Sequence, residues 1–380
     1  MSLTENLIVC VPSVKFVELV LIKLVPTEPP NAALMFSVIK LARDMLNIPS
    51  PSGDEKELGL FLVRRLRKNF KVKTQTVGNS FNVIATKGTP NIVLNIHFDT
   101  VPGSLKVRED KNWLYGRGAC DAKGPLAAMV VAGEIAVEQG VNNFGLVFNV
   151  NEETDFSGVR EVIKEIRPKR VIVGEPTDFN AVIGQKGLIG FKIKSNGISA
   201  HGATPEKGKS AILDLIKKLD RVSKLKFPVN PPLGNCTVNI GKISGGSAVN
   251  VVPESAEAIV EIRTSVKNKV VLDCVQESIG NIDLLYSFDP VITRDNSWIK
   301  QVSKKTEAVP YFTEMYFWSK AGADAVVFGP GSSKYAHSKR ERIRKGDLVE
   351  GVKKYLMLLR ENQKRQRLNN VMNTGGKHGS

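Results

Sequence analysis

Residues 91–124, NIVLNIHFDTVPGSLKVREDKNWLYGRGACDAKG, decide how this chain is read. The apolar run Ile92-Val93-Leu94-Asn95-Ile96 has the look of a buried strand, and it runs out into His97-Phe98-Asp99. In extended backbone, residues two apart share a face, so His97 and Asp99 point into the same space. Asp121 follows in Gly116-Arg117-Gly118-Ala119-Cys120-Asp121-Ala122-Lys123-Gly124, a loop expected to open a helix over residues 124–139. An imidazole and a loop carboxylate at the C-terminal end of a strand are ligands a zinc ion could use. Taken alone they are more readily a packed histidine bonded to an aspartate, and the partners the rest of the chain supplies reverse that reading.

Working outward, apolar residues recur at helical spacing in Leu34, Val38, Leu41, Met45 and Leu46, and again over residues 55–68. Strands are expected at 72–77, 82–85, 146–150 and 170–173, with a helix at 160–166 between the last two. Strands alternating with helices argue for a mostly parallel α/β sheet covered on both faces. In such sheets ligands gather outside the carboxyl ends of the strands. There the sequence places Glu152-Glu153 and Glu175 beside His97, Asp99 and Asp121. Adjacent Glu152 and Glu153 can both face the site only if the backbone turns at that point.

After residue 184 the rhythm changes. Strands at 190–194, 236–243 and 256–264 and helices at 210–222 and 270–279 read as a separate α+β domain, residues 185–291, inserted into the first. The chain then returns with a helix at 298–306, a strand at 325–328, Gly329-Pro330-Gly331, Tyr335-Ala336-His337 and a last helix at 348–359. The catalytic domain is thus expected over 31–184 and 292–364, with 365–380 a disordered tail. Residues 1–30 form an extension. Its apolar stretch 7–25 carries Pro12, Lys15, Glu18 and Lys23, and charges near a helix centre cost about 2.5–3.5 kcal/mol each on insertion scales. That argues against a membrane span, and no clean signal-peptide pattern follows.

The chain is 380 residues long with 42% hydrophobic residues, enough for two cores. Four scattered cysteines with no CxxC pair exclude a disulfide framework and a thiolate zinc site, and suit a reducing cytoplasm. The net charge of +16 concentrates acidic partners at the surface. Basic residues are not interleaved with aromatics as in single-strand nucleic-acid binders, and no nucleic-acid or membrane partner is expected.

Three of the four histidines, His97, His201 and His337, sit at element ends. The ordered set HxD, GRGxxDxKG, NEE, GEPT, SAHGATPEKG and a late AH resembles the dinuclear zinc aminoacylase/carboxypeptidase family. That family includes acetylornithine deacetylase, succinyl-diaminopimelate desuccinylase and glutamate carboxypeptidase. The resemblance spans roughly residues 34–359 and implies a zinc-exopeptidase-like catalytic domain with a lid and dimerisation insert. Carried onto this sequence, it implies two zinc ions per chain, which cobalt can replace, bridged by Asp121. His97 and Glu175 would complete one ion's ligands, and Glu153 and His337 the other's. Glu152 would be the general base, and Asp99 would orient His97. His201 would reach the partner subunit's site in a homodimer and help hold the tetrahedral oxyanion, with Asn250, Arg263 and Gly329 binding substrate.

The expected activity is release of an amino acid from an N-acyl amino acid, of the acetylornithine or succinyl-diaminopimelate type. The alternatives are a metallo-dipeptidase or carboxypeptidase, and, from another class, a non-catalytic basic binding protein on the same scaffold. The basic run Lys334, Lys339, Arg340, Arg342, Arg344 and Lys345 around His337 departs from the family pattern. It raises the expectation of an acidic carrier protein whose γ-glutamyl end holds the amino acid.

Overall fold

The computed structural model describes residues 31–375, with side chains for 32–368. The extension 1–30, Cys10 and His378 lie outside the described residues. The largest element is a nine-stranded sheet. Its four inner strands, Phe144–Asn149, Ile92–His97, Arg170–Val173 and Asp324–Val327, lie side by side and all parallel. Antiparallel strands Lys71–Val77 and Ser80–Lys87 extend one edge. On the other, Ala181–Gln185 pairs with Asp324–Val327, Val291–Ile292 and Thr306–Val309.

The inner strands are buried on both faces, as parallel strands must be, so their sequences are almost continuously apolar. The strict alternation of side chains then sorts each strand between two cores. Ile92, Leu94, Ile96, Phe144, Leu146, Phe148 and Ile172 pack with the helices Asn31–Leu46, Lys56–Leu66, Lys123–Glu138 and Lys345–Gly375. Val93, Val147, Val171 and Val173 face the other way, toward Ser157–Glu165 and Met315–Lys320. His97 and Asn95 fall on this second face.

A second, antiparallel sheet takes the strands Gly187–Asn196, Thr237–Gly245, Ser255–Thr264 and Asp283–Phe288. The helices Ala211–Lys224 and Asn268–Ile279 cover it around a core of its own. Ser210 caps the first of these helices, its hydroxyl accepting from Leu213 N.

Two expectations fail. Residues 298–306 form no helix: one irregular turn, pinned by Trp298 Nε1 donating to Asp295 O at 2.9 Å, buries Trp298, Ile299 and Val302. Three apolar residues are satisfied by a single turn, and the chain then enters the strand Thr306–Val309. The final helix does not stop at 359, and the expected disordered tail is helical to Gly375. Residues 363–368 are good helix formers, and they are anchored: Gln363 Nε2 donates to Gly140 O and Asn143 Nδ2 donates to Gln366 Oε1, both at 3.3 Å.

Candidate metal centre

Each inner strand hands one or more polar side chains to the same end of the sheet. His97 is the last residue of its strand. Beyond Asn149 the chain turns through Asn151, whose φ is 60°, with Asp155 N and Phe156 N both donating to Asn151 O. That turn is what brings Glu152 and Glu153 to the same space. Asp99 holds it: its Oδ1 accepts from Glu152 N and its Oδ2 from Glu153 N, each at 3.1 Å. Ser52 Oγ donates to the same carboxylate at 2.7 Å. Glu175 follows Arg170–Val173. Asp121 ends the loop that opens helix Lys123–Glu138, and that helix packs so closely on the loop that a Cβ at Gly124 would lie 2.2 Å from Ala119 O.

The side chains meet around Asp121. Its Oδ1 lies 3.1 Å from His97 Nε2 and its Oδ2 lies 3.2 Å from His337 Nε2, so one carboxylate faces two imidazoles with its two oxygens. Glu175 Oε1 is 3.8 Å from His97 Nε2, and Glu153 Oε1 is 2.9 Å from His337 Nε2. The far nitrogen of His97, Nδ1, donates to Asp99 O at 3.1 Å and lies 3.5 Å from Asp99 Oδ1. Three triads bring their ligand atoms within 4.8 Å of one another: His97, Asp121 and Glu175; Asp121, Glu153 and His337; and His97, Glu152 and Glu153.

Burial and like charge set the electrostatics. Burial resists protonation of His97, yet Asp121, Asp99, Glu175 and Glu152 outweigh it and hold its pKa well above the usual value. Burial, with Glu175, Glu314 and Glu153 nearby, pushes the Glu152 carboxyl well up. Glu175 is raised in the same way, by burial and then by Asp121. Hydrogen bonds to Asp121 and Glu153 carry His337 to about 10. So many acids sharing one pocket attract positive charge. Two imidazoles and carboxylate oxygens are the donor set divalent zinc or cobalt accepts, and the residues fit a pair of such ions.

The cluster opens into a cavity of about 340 Å³ whose remaining wall includes Phe156, Tyr311, Phe312, Thr313 and Ala336.

A family model described as peptidase family M20/M25/M40 matches residues 93–361. The chain belongs to this family. A "probable carboxypeptidase" of Aspergillus clavatus is 34% identical over 364 residues, covering 85% of this chain and 88% of the relative. A tripeptidase of Staphylococcus aureus shares the fold with a TM-score of 0.74 at 21% identity, over 86% of this chain and 99% of that one. A Bacillus subtilis structure titled a dinuclear metal binding peptidase of the M20 family aligns with a TM-score of 0.68 at 15% identity, over 87% of this chain and 99% of that one. This M20-family chain is a hydrolase of peptide or amide bonds.

Within the M20-family chain, seven sequence-picked residues converge: His97, Asp99, Asp121, Glu152, Glu153, Glu175 and His337. Three others do not join them. His201 is exposed, its Nδ1 accepting from Ala203 N at 3.0 Å. Asn250 is exposed, its carbonyl accepting from Gly202 N at 2.7 Å. Arg263 is paired with its strand neighbour Glu261 at 2.9 Å. All three belong to the second sheet and its loops, and none lines the cavity. Gly329 is expected to touch substrate, but its close approach is elsewhere: a Cβ there would lie 2.6 Å from Glu175 O and 2.8 Å from the Tyr355 hydroxyl. Gly329 therefore seats the backbone of Glu175.

Two buried acids escape sequence reasoning. Glu314 accepts from Asn149 Nδ2 at 2.8 Å and from Asn95 Nδ2, tying the cavity wall at 311–313 to the strands that carry His97 and Glu152. Burial pushes it up to about 7. Glu341 Oε1 accepts from Cys120 N at 3.3 Å and Asp121 N at 3.2 Å, while Arg117 Nη1 holds its other oxygen at 2.6 Å. Neither has a spacing signal. The basic run around His337 is also partly engaged: the Arg342 guanidinium lies 4.6 Å from the Trp113 ring and 4.5 Å from that of Tyr335, and Lys345 pairs with Glu109 at 2.7 Å.

Proposed function

We propose that the chain is a dinuclear metallopeptidase releasing an amino acid from a dipeptide or from the carboxyl end of a short peptide, with zinc as its metal. The observation that carries this reading is Asp121 presenting one oxygen to each of two imidazoles, each flanked by a further glutamate. The curated relative named a carboxypeptidase favours a peptidase over the N-acyl deacylase reading. The apolar wall of Phe156, Tyr311 and Phe312 suits an apolar side chain next to the scissile bond.

When bound, the divalent ions would supply Lewis acidity toward the scissile carbonyl and toward water. Glu152 does the proton work. Its raised pKa keeps it able to take a proton from the attacking water and to release it to the departing amine as the tetrahedral carbon collapses. Asp99 keeps Glu152 in place through the backbone and fixes the tautomer of His97 through Nδ1.

No Arg or Lys lines the cavity among the described residues, so recognition of a substrate carboxylate has to come from outside this rim. Arg263 and Asn250 are the candidates, delivered with the oxyanion donor His201 by a second copy in a homodimer. Support for that assembly is the outer strand Thr237–Gly245, exposed along its length, with Ile240, Ile243, Leu213 and Ile216 uncovered. Free thiols at Cys120, Cys236 and Cys274 fit a cytoplasmic location. The carrier-protein reading loses ground because Arg342 and Lys345 are already engaged.

The test is a release assay on zinc-loaded enzyme with free dipeptides, N-blocked dipeptides, their C-terminal amides, and N-acetyl and N-succinyl amino acids. Turnover of apolar dipeptides or N-blocked dipeptides, lost on amidation, is expected. Faster release from N-acetyl or N-succinyl ornithine, lysine or diaminopimelate would restore the deacylase reading.

A further inference from the structure

At the opposite end of the same parallel strands lies a second cavity, of about 350 Å³, lined by Lys169, Arg170, Arg365, Asn91, Asn362 and Gln366 among others. Arg170 is the first residue of its strand, in register with Ile92 and Asp324. Five residues of extended chain separate it from Glu175, roughly 16 Å at about 3.3 Å per residue. This pocket is therefore remote from the metal centre.

Its lining holds three cations and no acid. None of the three forms an ion pair among the described residues. Arg170 is only 7% exposed and Asn362 only 3%. The Arg170 guanidinium is 5.7 Å from the Trp298 ring, and its Nη1 donates to Asn362 Oδ1 at 3.4 Å. Its Nε and the amide Nδ2 of Asn362 are buried donors with no acceptor. Two aspartates act on Arg170 at longer range without forming an ion pair with it: Asp324 pairs with Arg294 at 3.6 Å, and Asp295 Oδ1 accepts from Ser297 N at 2.9 Å and Ser297 Oγ at 2.7 Å. Burial and the charge of Arg365 lower the pKa of Arg170. Buried donors in native proteins are almost always satisfied, and a guanidinium fork beside an ammonium suits a tetrahedral oxyanion.

We propose that this pocket binds a phosphate-type oxyanion, free or carried on a small metabolite, between Arg170, Asn362, Lys169 and Arg365. The site is independent of the hydrolytic reading. The measurement is thermal unfolding of the full chain with inorganic phosphate against chloride at equal ionic strength. Phosphate is expected to give a saturable rise of roughly 1–3 °C, as a ligand of the native state does. Exposed-residue variants Lys169→Gln and Arg365→Gln should each weaken the apparent affinity about tenfold, the loss of one charged contact. Asn362→Asp sets a carboxylate against Arg170; it should raise the melting temperature without phosphate and abolish the response to it. If Asn362→Asp does not fold, the two surface variants decide. A phosphomonoester such as glycerol 3-phosphate acting at lower concentration than phosphate assigns the site to a carried phosphoryl group, and equal potency assigns it to the free ion. A phosphate effect no larger than that of chloride, or one unchanged in both surface variants, overturns the proposal and leaves an adventitious ion only.

Discussion

The rim of the parallel sheet and the loops of the antiparallel sheet make an instructive pair. At the rim every candidate residue leans on another: Asp121 on both histidines, His337 on Glu153, and Asp99 on His97 and on the backbone of both glutamates. In the second sheet His201 and Asn250 are exposed, and Arg263 answers only its own neighbour Glu261. The cluster proposed to carry the chemistry is assembled within one chain, while the groups proposed to hold the substrate are not brought to it. Reaction chemistry demands fixed geometry before substrate arrives, whereas recognition can be completed on closure or by a second subunit.

Five substitutions can break or sharpen that contrast. Asp121→Ala removes the one contact shared by both imidazoles; bound zinc by elemental analysis and turnover should both be lost, and retention of either would dissolve the rim as a unit. Glu152→Gln should keep its metal while kcat falls roughly 10²–10⁴-fold, the usual worth of a general base. Glu153→Gln should instead lose metal, and a reversal of the two phenotypes would exchange their roles.

His201→Ala tests the other region. Loss of an oxyanion donor costs on the order of 10²–10³ in kcat, with metal content unchanged. Mixing it with Glu152→Gln chains should recover part of the activity, since a mixed dimer holds one intact combination. No recovery under verified subunit exchange would confine each site to one chain.

Glu314→Gln should have the smallest effect, about tenfold in kcat as for outer groups that orient ligands. It also changes the dependence of stability on pH. Burial raises the Glu314 carboxyl from its ordinary 4.5 to about 7, so the folded state holds the proton more tightly than the unfolded one. Its contribution is fully present below about 4.5 and is lost as pH rises through 7. Melting of metal-chelated protein between those limits should slope less in Glu314→Gln; an unchanged slope would place the titration elsewhere.

The contrast also marks what the sequence could reveal. His97, Glu152, Glu153 and Glu175 are legible because each ends an apolar strand, and parallel strands end together. Glu314 and Glu341 are not, because their partners lie 165 and 221 residues away in the chain and no local period records such a contact. The helix expected at 298–306 fails for a related reason, since three apolar residues specify burial without specifying length. The helical continuation beyond 359 was hidden by its composition, for a polar and basic run reads as solvated tail until Gln363 and Gln366 find the loop at 140–143.

Glu341 has a consequence for the making of the protein. Ribosomes deliver His97, Asp121, Glu153 and Glu175 first, then the whole antiparallel sheet, and only after it His337 and the acid that fastens the backbone of Asp121. A nascent chain thus carries most of the candidate metal centre without its last histidine or the clamp on its central carboxylate. The candidate centre can therefore close only after the inserted antiparallel sheet has been made.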